Sequence, residues 1–247
     1  MKKRGQLTIF IIIGIIFLAI IALFLIFNKN FILPTNDADI NNVFLFQENC
    51  MNQIDVQTIF KISMQGGYYD IPKQSILYGI PYYGLDGKNI MPTKEKIEKE
   101  ISKAVNNQLV SCTNNFTQFN NLKITSHEII TKVEINDEEI LLEITYPISI
   151  TKEESTTVLS KPKKVEVPVR FGILYDTATD IVNNNLNKEI CITCIIEEIQ
   201  SKNIAVDVID YNNDTIIFVL TDEQSEIIEN NIELTFAIKQ WNRKYLS

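Results

Sequence analysis

A long apolar segment near the start of the chain constrains its fold more than any other feature. From Leu7 to Phe27, only Thr8 and Gly14 interrupt an apolar run of 21 residues. A helix of that length measures about 30 Å, which matches the hydrocarbon core of a bilayer. In that core, a helix satisfies its own backbone polar groups and an isolated strand does not. The sequence therefore predicts a transmembrane helix at residues 7–27.

Basic residues flank this apolar run unequally. Lys2, Lys3 and Arg4 precede it, whereas only Lys29 follows it closely. By the positive-inside rule, the asymmetry predicts a cytoplasmic tip at residues 1–6 and a C-terminal domain outside the cell membrane. The run is longer than the apolar region of a secretory signal peptide and does not end in small residues, so we expect no removal by signal peptidase.

The chain beyond the apolar run is strongly acidic. All 31 acidic residues follow the run, together with 20 of the 23 basic residues, so this portion has a formal charge of −11. Such a surface repels nucleic acid, and we expect no nucleic-acid partner. The expected partners are membrane lipid, through residues 7–27, and other proteins or further copies of the chain in the cell envelope.

The residues before the apolar run resemble a processing signal. Lys3-Arg4-Gly5-Gln6 is similar to the class III signal of archaeal type IV pilins, in which a prepilin peptidase cuts after the glycine. The resemblance implies that Gly5 precedes the cut, that Gln6 becomes the new N-terminus, and that the apolar helix remains as a membrane anchor or filament core. Pilins usually have glutamate at the fifth position of the mature chain, where this chain has Phe10. The resemblance therefore supports a membrane anchor better than it supports a filament core.

The chain also resembles membrane-anchored proteins of small-genome archaea that have no assigned function. The likeness lies in the opening Lys-Lys-Arg-Gly-Gln-x-Thr-x-Phe-Ile-Ile pattern, the helix around Cys50, Gly66-Gly67-Tyr68 and Pro168-Val169-Arg170. This resemblance implies an archaeal envelope context and no particular chemistry.

Hydrophobic patterning divides the exported portion into segments. Residues 28–38 are predicted to form a linker, and residues 39–122 a helical part with a loop rich in glycine, tyrosine and proline at 66–92. Residues 123–247 are predicted to form an α+β part, with a subdomain boundary, if there is one, near 170–176. Runs of helices and runs of strands alternate, so we expect an α+β fold with helices packed on a mainly antiparallel sheet.

Apolar stripes locate the helices. One stripe predicts a helix of about 25 residues that begins near Asp39 and ends at Gly66-Gly67. Thr93 is a predicted N-cap for the next helix. A third helical pattern covers about 174–202. It predicts either one helix or two helices separated by the asparagine-rich stretch at 183–187.

Alternating apolar residues locate the strands. Strands are predicted at 123–135 and 139–150, joined by a hairpin turn at 136–138. Strands at 204–209 and 215–220 are predicted to flank a second hairpin turn at 210–214, and the last strand is predicted at 232–238. A further stretch of strand character, about 156–171, contains Pro162 and Pro168. Because proline cannot donate to a strand ladder, we expect this stretch to lie on a sheet edge or to be broken.

The four cysteines are Cys50, Cys112, Cys191 and Cys194, and outside the membrane they permit two disulfides. We favour a bridge between Cys50 and Cys112, which would join the first two exported helices. It would close a loop of about 60 residues and stabilise the fold by roughly 4 kcal/mol. Cys191 and Cys194 form a C-x-x-C within apolar helical sequence, which favours a structural pair over a redox site. Two cysteines do not complete a tetrahedral zinc site.

No pattern in the sequence indicates catalysis, and we expect no enzyme activity, cofactor or metal. His127 is the only histidine, and its alternating context predicts a packed or edge residue of a strand. The segment Asp210–Asp214 offers oxygen ligands for Ca²⁺, but an acidic hairpin turn explains it better. Phosphate-binding, dinucleotide-binding and nucleophile-elbow motifs are absent from the sequence.

Two pairs of tyrosines lie in the loop at 66–92: Tyr68, Tyr69, Tyr82 and Tyr83. Loops often carry binding sites, and tyrosine presents a rigid amphipathic surface, so these four residues are candidates for a binding loop. A loop that its tyrosines pin onto the domain explains the same pattern, and we favour that interpretation.

Two tripeptides match the acceptor sequence for N-glycosylation. They begin at Asn115 and Asn213, and each has threonine at its third position. On an exported chain both asparagines are candidate glycosylation sites. Such tripeptides also arise by chance, so both alternatives stay open.

The sequence therefore predicts a non-enzymatic, single-pass membrane protein of the cell envelope. Its extracytoplasmic domain would serve in surface structure, adhesion or assembly, and it would be pilin-like if its N-terminus is processed. One alternative is a membrane-tethered thiol oxidoreductase that uses the C-x-x-C. Another is a receptor or solute-binding module that uses the loop at 66–92.

Overall fold

The structure is a computed structural model. It describes residues 38–54, 56–186, 192–212, 214–227 and 230–239.

The predicted cytoplasmic tip and transmembrane helix, with Gly5 and Gln6, lie outside the described residues. Among those that are described, no helix combines the length and the apolar character that crossing a bilayer requires. The chain divides into two compact units, residues 1–42 and 43–247, and apart from 38–42 the described residues belong to the second unit.

The described residues form five α-helices and eleven β-strands. The helices are α1 Ala38–Asn52, α2 Val56–Met64, α3 Lys94–Thr113, α4 Phe171–Asn185 and α5 Ile192–Gln200. The strands are β1 Tyr82–Leu85, β2 Lys88–Asn89, β3 Lys123–Ser126, β4 Ile130–Ile135, β5 Ile140–Thr145, β6 Ile148–Lys152, β7 Ser155–Leu159, β8 Lys163–Val167, β9 Ile204–Asn212, β10 Thr215–Ile227 and β11 Asn230–Lys239.

Three sheets combine these strands, in the orders β2-β1-β11-β10-β9, β3-β6-β7 and β4-β5-β8. Strand β1 pairs with β11 in parallel, whereas the other described pairs are antiparallel. Helices α2 and α4 pack on β10 and β11, α3 packs on β4, and α5 packs on β9. The α+β class is therefore confirmed, with helices on a mixed sheet.

The prediction of one helix between Asp39 and Gly66-Gly67 is wrong, because α1 ends at Asn52 and α2 begins at Val56. Ile54 lies outside both helices and is nevertheless buried. The apolar stripe therefore continues through a non-helical residue. An apolar stripe indicates which side chains are buried. It does not indicate where the helical hydrogen bonds end.

The two predicted hairpins depend on short-range turn chemistry and are confirmed. The predicted strands at 123–135 and 139–150 are each divided into two strands, which belong to different sheets. The loop predicted at 66–92 contains β1 and β2, and β1 is an inner strand of its sheet. Strands β4 and β5 form a hairpin in which the Asn136 backbone N–H donates to the Glu139 carbonyl oxygen at 3.0 Å. Strands β9 and β10 form the second hairpin. The stretch at 156–171 is broken around Pro162, and its two strands, β7 and β8, lie at the edges of different sheets.

Stacked aromatic rings form the centre of the five-stranded sheet. The Tyr83 ring lies 4.6 Å from that of Phe236, and the Phe236 ring lies 5.3 Å from that of Phe218, between ring centroids. All three side chains are fully buried, and their burial removes several hundred Å² of apolar surface from water. They join β1, β11 and β10 into one core layer.

The β4–β5 turn lies directly against the start of α4. The Gly172 backbone N–H donates to the Asn136 carbonyl oxygen at 3.2 Å. A Cβ atom on Gly172 would lie 2.5 Å from that oxygen and 2.9 Å from the Asp137 Cα. Both of those atoms belong to the backbone, so this contact leaves room for glycine and for no other residue.

We expect Gly172→Ala to lower the free energy of unfolding by about 3 kcal/mol, because the new methyl group must displace a hydrogen-bonded turn. Gly84→Ala is the matched control, since its Cβ would meet the side chains of Leu186 and Ile238, which can shift. Its loss should be at most half as large. Urea unfolding followed by circular dichroism measures both, and equal losses would contradict the close contact.

Candidate functional site

The loop at 66–92 is the region that sequence reasoning singled out for binding, and a buried carboxylate holds its first part. Glu100 lies on α3 with 5% of its surface exposed. Its Oε2 atom accepts hydrogen bonds from the backbone N–H groups of Tyr69 and Asp70, at 3.1 and 3.0 Å. Its Oε1 atom lies 2.6 Å from the Lys96 ammonium, one helical turn away. The carboxylate thus binds the loop to α3.

The environment of Glu100 favours its charged form. Burial by itself would raise the pKa of the carboxyl group. The Lys96 ammonium and the two backbone N–H donors outweigh burial and lower the pKa below its ordinary value. A second ion pair, between Lys103 on α3 and Asp70, lies at the surface beside it. The Glu100 contact is the stronger attachment of the loop because it is shielded from water.

The four candidate tyrosines are attached to the domain. Tyr83 is fully buried, and its hydroxyl donates to the Gly66 carbonyl oxygen at 3.0 Å. The Tyr82 hydroxyl lies 3.3 Å from the Thr215 Oγ1, and Asn107 donates to the Tyr69 hydroxyl at 3.4 Å. Tyr68 is half-buried, and burial together with the nearby Glu100 raises the pKa of its hydroxyl.

A different tyrosine of the same loop is exposed. Tyr78 has 88% of its surface accessible to water, and Leu77 has 63%. The backbone N–H of Ile76 donates to the Ile80 carbonyl oxygen at 2.8 Å, which closes the turn that carries them. We call residues 76–80 the apolar turn. Sequence reasoning did not select Tyr78, and the signal that marks it is the turn-forming Gly79 that follows.

The apolar turn has a strained backbone. Tyr78 has a φ of 69°, in the left-handed region, where an aromatic residue is rare. The turn is nevertheless held firmly, because Ser75 and Pro81 form a β-bridge at its base. The apolar turn therefore presents two adjacent exposed apolar side chains above a hydrogen-bonded base.

The structure contains the favoured disulfide, between Cys50 of α1 and Cys112 of α3. The Cα atoms of the two residues lie 5.8 Å apart, and Cys50 is buried. That pairing is therefore confirmed. Cys191 and the side chain of Cys194 lie outside the described residues, so the interpretation of the C-x-x-C stays a prediction.

A buried arginine joins several segments, and sequence reasoning did not identify it as a site. The Arg170 guanidinium donates to Asp222 Oδ1 and to the Lys202 carbonyl oxygen, both at 2.8 Å. Its backbone N–H donates to the Ser225 hydroxyl at 2.8 Å. Ser225 lies where the pairing of β10 with β11 is irregular, which lets the strand reach the start of α4. Only the fold brings these residues together.

Within the described part of the chain, this ion pair is incompletely satisfied. Arg170 Nε and Asp222 Oδ2 are buried without a hydrogen-bond partner there. Arg170 Nε also lies 3.9 Å from a carboxylate oxygen of Glu138. The Arg170 guanidinium orients the two segments whose oxygen atoms it binds.

The other sequence candidates lie apart from these sites. The prediction that His127 belongs to a strand is wrong, because it lies exposed in the segment between β3 and β4. Its Nε2 lies 3.0 Å from the Ser149 hydroxyl on β6. Asp214 pairs with Lys239 at 3.5 Å, in the turn of the β9–β10 hairpin. Asn115 is exposed after α3, and Asn213 lies outside the described residues. In the described ranges, no group of three or more histidine, cysteine, aspartate or glutamate residues is placed to hold a metal ion.

Comparisons with protein-family models, with curated proteins and with solved structures found no match to this chain.

We expect Glu100→Gln to lower the free energy of unfolding at pH 7 by about 2 kcal/mol, since the amide cannot hold a charge beside Lys96 and its two N–H donors. A carboxyl group with a lowered pKa in the folded state stabilises the fold above its ordinary pKa, and this contribution is lost as the pH falls through the folded value. The difference between wild type and variant should therefore shrink on acidification below the ordinary value of 4.5.

Urea titrations at neutral and acidic pH measure this difference. Glu154→Gln is the control, because Glu154 is exposed in the β6–β7 turn. It should leave the stability unchanged at either pH. A Glu100→Gln loss that grows as the pH falls would contradict the assigned role of the carboxylate.

Proposed function

We propose that this chain is a single-pass, membrane-anchored extracytoplasmic protein of the cell envelope, with its N-terminus in the cytoplasm. Its role is non-enzymatic, in surface structure, adhesion or assembly. The observation that carries the proposal is the Cys50–Cys112 disulfide. Disulfides form and persist outside the cytoplasm, so the bridge supports export of the domain that follows the apolar run.

The sequence adds two supports. The run at residues 7–27 has the length of a membrane span, and its three preceding basic residues favour a cytoplasmic N-terminus. Lys3-Arg4-Gly5-Gln6 resembles the archaeal class III signal, so processing between Gly5 and Gln6 is part of the proposal. A processed chain would keep its apolar helix as an anchor.

The buried charges support a non-enzymatic role. Glu100 uses its two oxygens to bind backbone N–H groups and a lysine of its own helix. Arg170 and Asp222 pair with each other and with neighbouring backbone. Each of these groups holds segments of the fold together, and a carboxylate with a lowered pKa is a poor proton carrier at neutral pH.

We expect the native protein to be extracted from membranes only with detergent and to have Cys50 and Cys112 blocked to alkylation until it is reduced. Intact mass before and after reduction, with peptide mapping, measures both properties. Loss of residues 1–5 is the expected result of class III processing, and an intact N-terminus would reduce the proposal to an unprocessed signal anchor. Free Cys50 and Cys112 in the native protein would contradict export.

A protein contact at the apolar turn is the second part of the proposal. Leu77 and Tyr78 are the most exposed of the large apolar side chains described, and they are adjacent. The turn is supported from below by the Ser75–Pro81 bridge, and Glu100 attaches the chain before it. Tyrosine on a rigid support is typical of residues that dominate binding energy at protein interfaces.

We expect Tyr78→Asn to abolish the crosslinks that the native protein forms with its neighbours in the envelope while raising the free energy of unfolding by about 1 kcal/mol. Asparagine adopts the left-handed backbone more readily than tyrosine, and an exposed ring loses little packing. Crosslinking in intact membranes and urea unfolding measure the two effects.

The control is Val158→Asn, which removes an exposed apolar side chain from β7. It should leave the crosslinks unchanged. Crosslinks that survive a Leu77→Ser, Tyr78→Asn double variant would show that the apolar turn is not the contact surface.

A further inference from the structure

The turn after α3 contains three successive non-glycine residues with a left-handed backbone conformation, which is unusual. Asn114, Asn115 and Phe116 have φ values of 42°, 52° and 57°, so three successive residues lie in the left-handed region. Each such residue costs about 1–2 kcal/mol, and left-handed residues normally occur singly. Asparagine tolerates this conformation better than most residues, but phenylalanine does not. Neighbouring contacts must therefore hold the turn in place.

Those contacts come from Phe116, the middle residue of the acceptor tripeptide Asn115-Phe116-Thr117. Phe116 is only 2% exposed, and its ring lies 6.0 Å from that of Phe46 and 6.1 Å from that of Tyr146, between centroids. The Tyr146 hydroxyl lies 3.2 Å from the Thr113 hydroxyl, at the end of α3. The ring of Phe116 thus anchors the turn inside the domain.

Burial of Phe116 leaves its two neighbours facing water. Asn115 and Thr117 are exposed on either side of it. The Thr117 hydroxyl accepts a hydrogen bond from the Asn114 side chain at 3.1 Å. The Asn115 carboxamide makes no hydrogen bond with any other described residue. The structure therefore presents the asparagine and the threonine that an acceptor tripeptide requires, in a surface turn.

The disulfide fixes the same end of α3. Cys112 lies three residues before Asn115 and is bonded to Cys50 of α1. The backbone N–H of Asn114 donates to the Val110 carbonyl oxygen, which ends the helix at that point. The turn therefore takes its final form in the compartment where the disulfide forms, which is also where an exported chain meets glycan donors.

We propose that Asn115 is an N-glycosylation site, modified by transfer of a glycan from a lipid-phosphate-linked donor. This proposal rests on the proposed export of the domain. In the transfer, the Asn115 Nδ2 atom forms a bond to the anomeric carbon of the glycan. The bond from that carbon to the phosphate oxygen breaks, and the lipid phosphate leaves with the electron pair. The Nδ2 atom releases one proton, so the step needs no oxidant or reductant.

The test is the intact mass of the full-length protein purified from its native membranes, as wild type and as four variants. Asn115→Asp keeps the shape of the side chain and removes the acceptor nitrogen. Thr117→Ala removes the hydroxyl, and Thr117→Ser retains it. Asn120→Gln changes an exposed asparagine outside the tripeptide.

We expect wild type, Thr117→Ser and Asn120→Gln to have a mass above that of the polypeptide by a glycan. Asn115→Asp and Thr117→Ala should each lose the mass of one glycan, whether or not Asn213 also carries one. An unchanged Cys50–Cys112 bond in each variant, measured by alkylation in the same samples, shows that the variants fold. An added mass in Asn115→Asp equal to that of wild type would place the modification elsewhere and overturn the proposal.

The same samples distinguish a failure of the glycosylation proposal from a failure of the proposed export. A wild-type mass equal to that of the polypeptide, with Cys50 and Cys112 bonded, overturns glycosylation at Asn115 and leaves export standing. Unmodified protein with both cysteines free overturns both.

Discussion

The parallel pairing of β1 with β11 is the contact on which the rest of the domain depends. It joins Tyr82 to Ala237 and Gly84 to Ile238, residues separated by most of the described chain. Tyr83 then stacks on Phe236 within the core and binds the turn that ends α2 through its hydroxyl. Closing so long a loop costs entropy, which the buried aromatic rings offset.

This pairing also determines what the loop at 66–92 can do. One end of the loop enters the core through β1, and Glu100 binds its other end to α3. The segment between these two attachments has little freedom, so the apolar turn projects from a fixed base. The polar groups buried around the loop stabilise its position, and its most exposed apolar side chains are Leu77 and Tyr78.

Much of the fold could be predicted because it depends on neighbours in sequence. The N-cap at Thr93, the hairpin turns and the break at Pro162 each follow from the chemistry of a few adjacent residues. The favoured disulfide was predicted because Cys50 lies within the first predicted helix after the apolar run and Cys112 lies at the end of the next. The break between α1 and α2 was missed, since a buried Ile54 preserves the apolar stripe without preserving the helix.

The sequence by itself determined the α+β class, the two hairpins, the start of the helix after Thr93 and the acceptor tripeptide at Asn115, and it alone carries the expectation of a membrane anchor. Tertiary structure decided which tyrosines are buried and which is exposed. It also decided that Arg170 meets Asp222 and that Phe116 enters the core while Asn115 remains outside. The physical reason is range: periodicity and turn chemistry act over a few residues, whereas these outcomes depend on contacts between residues that are distant in sequence.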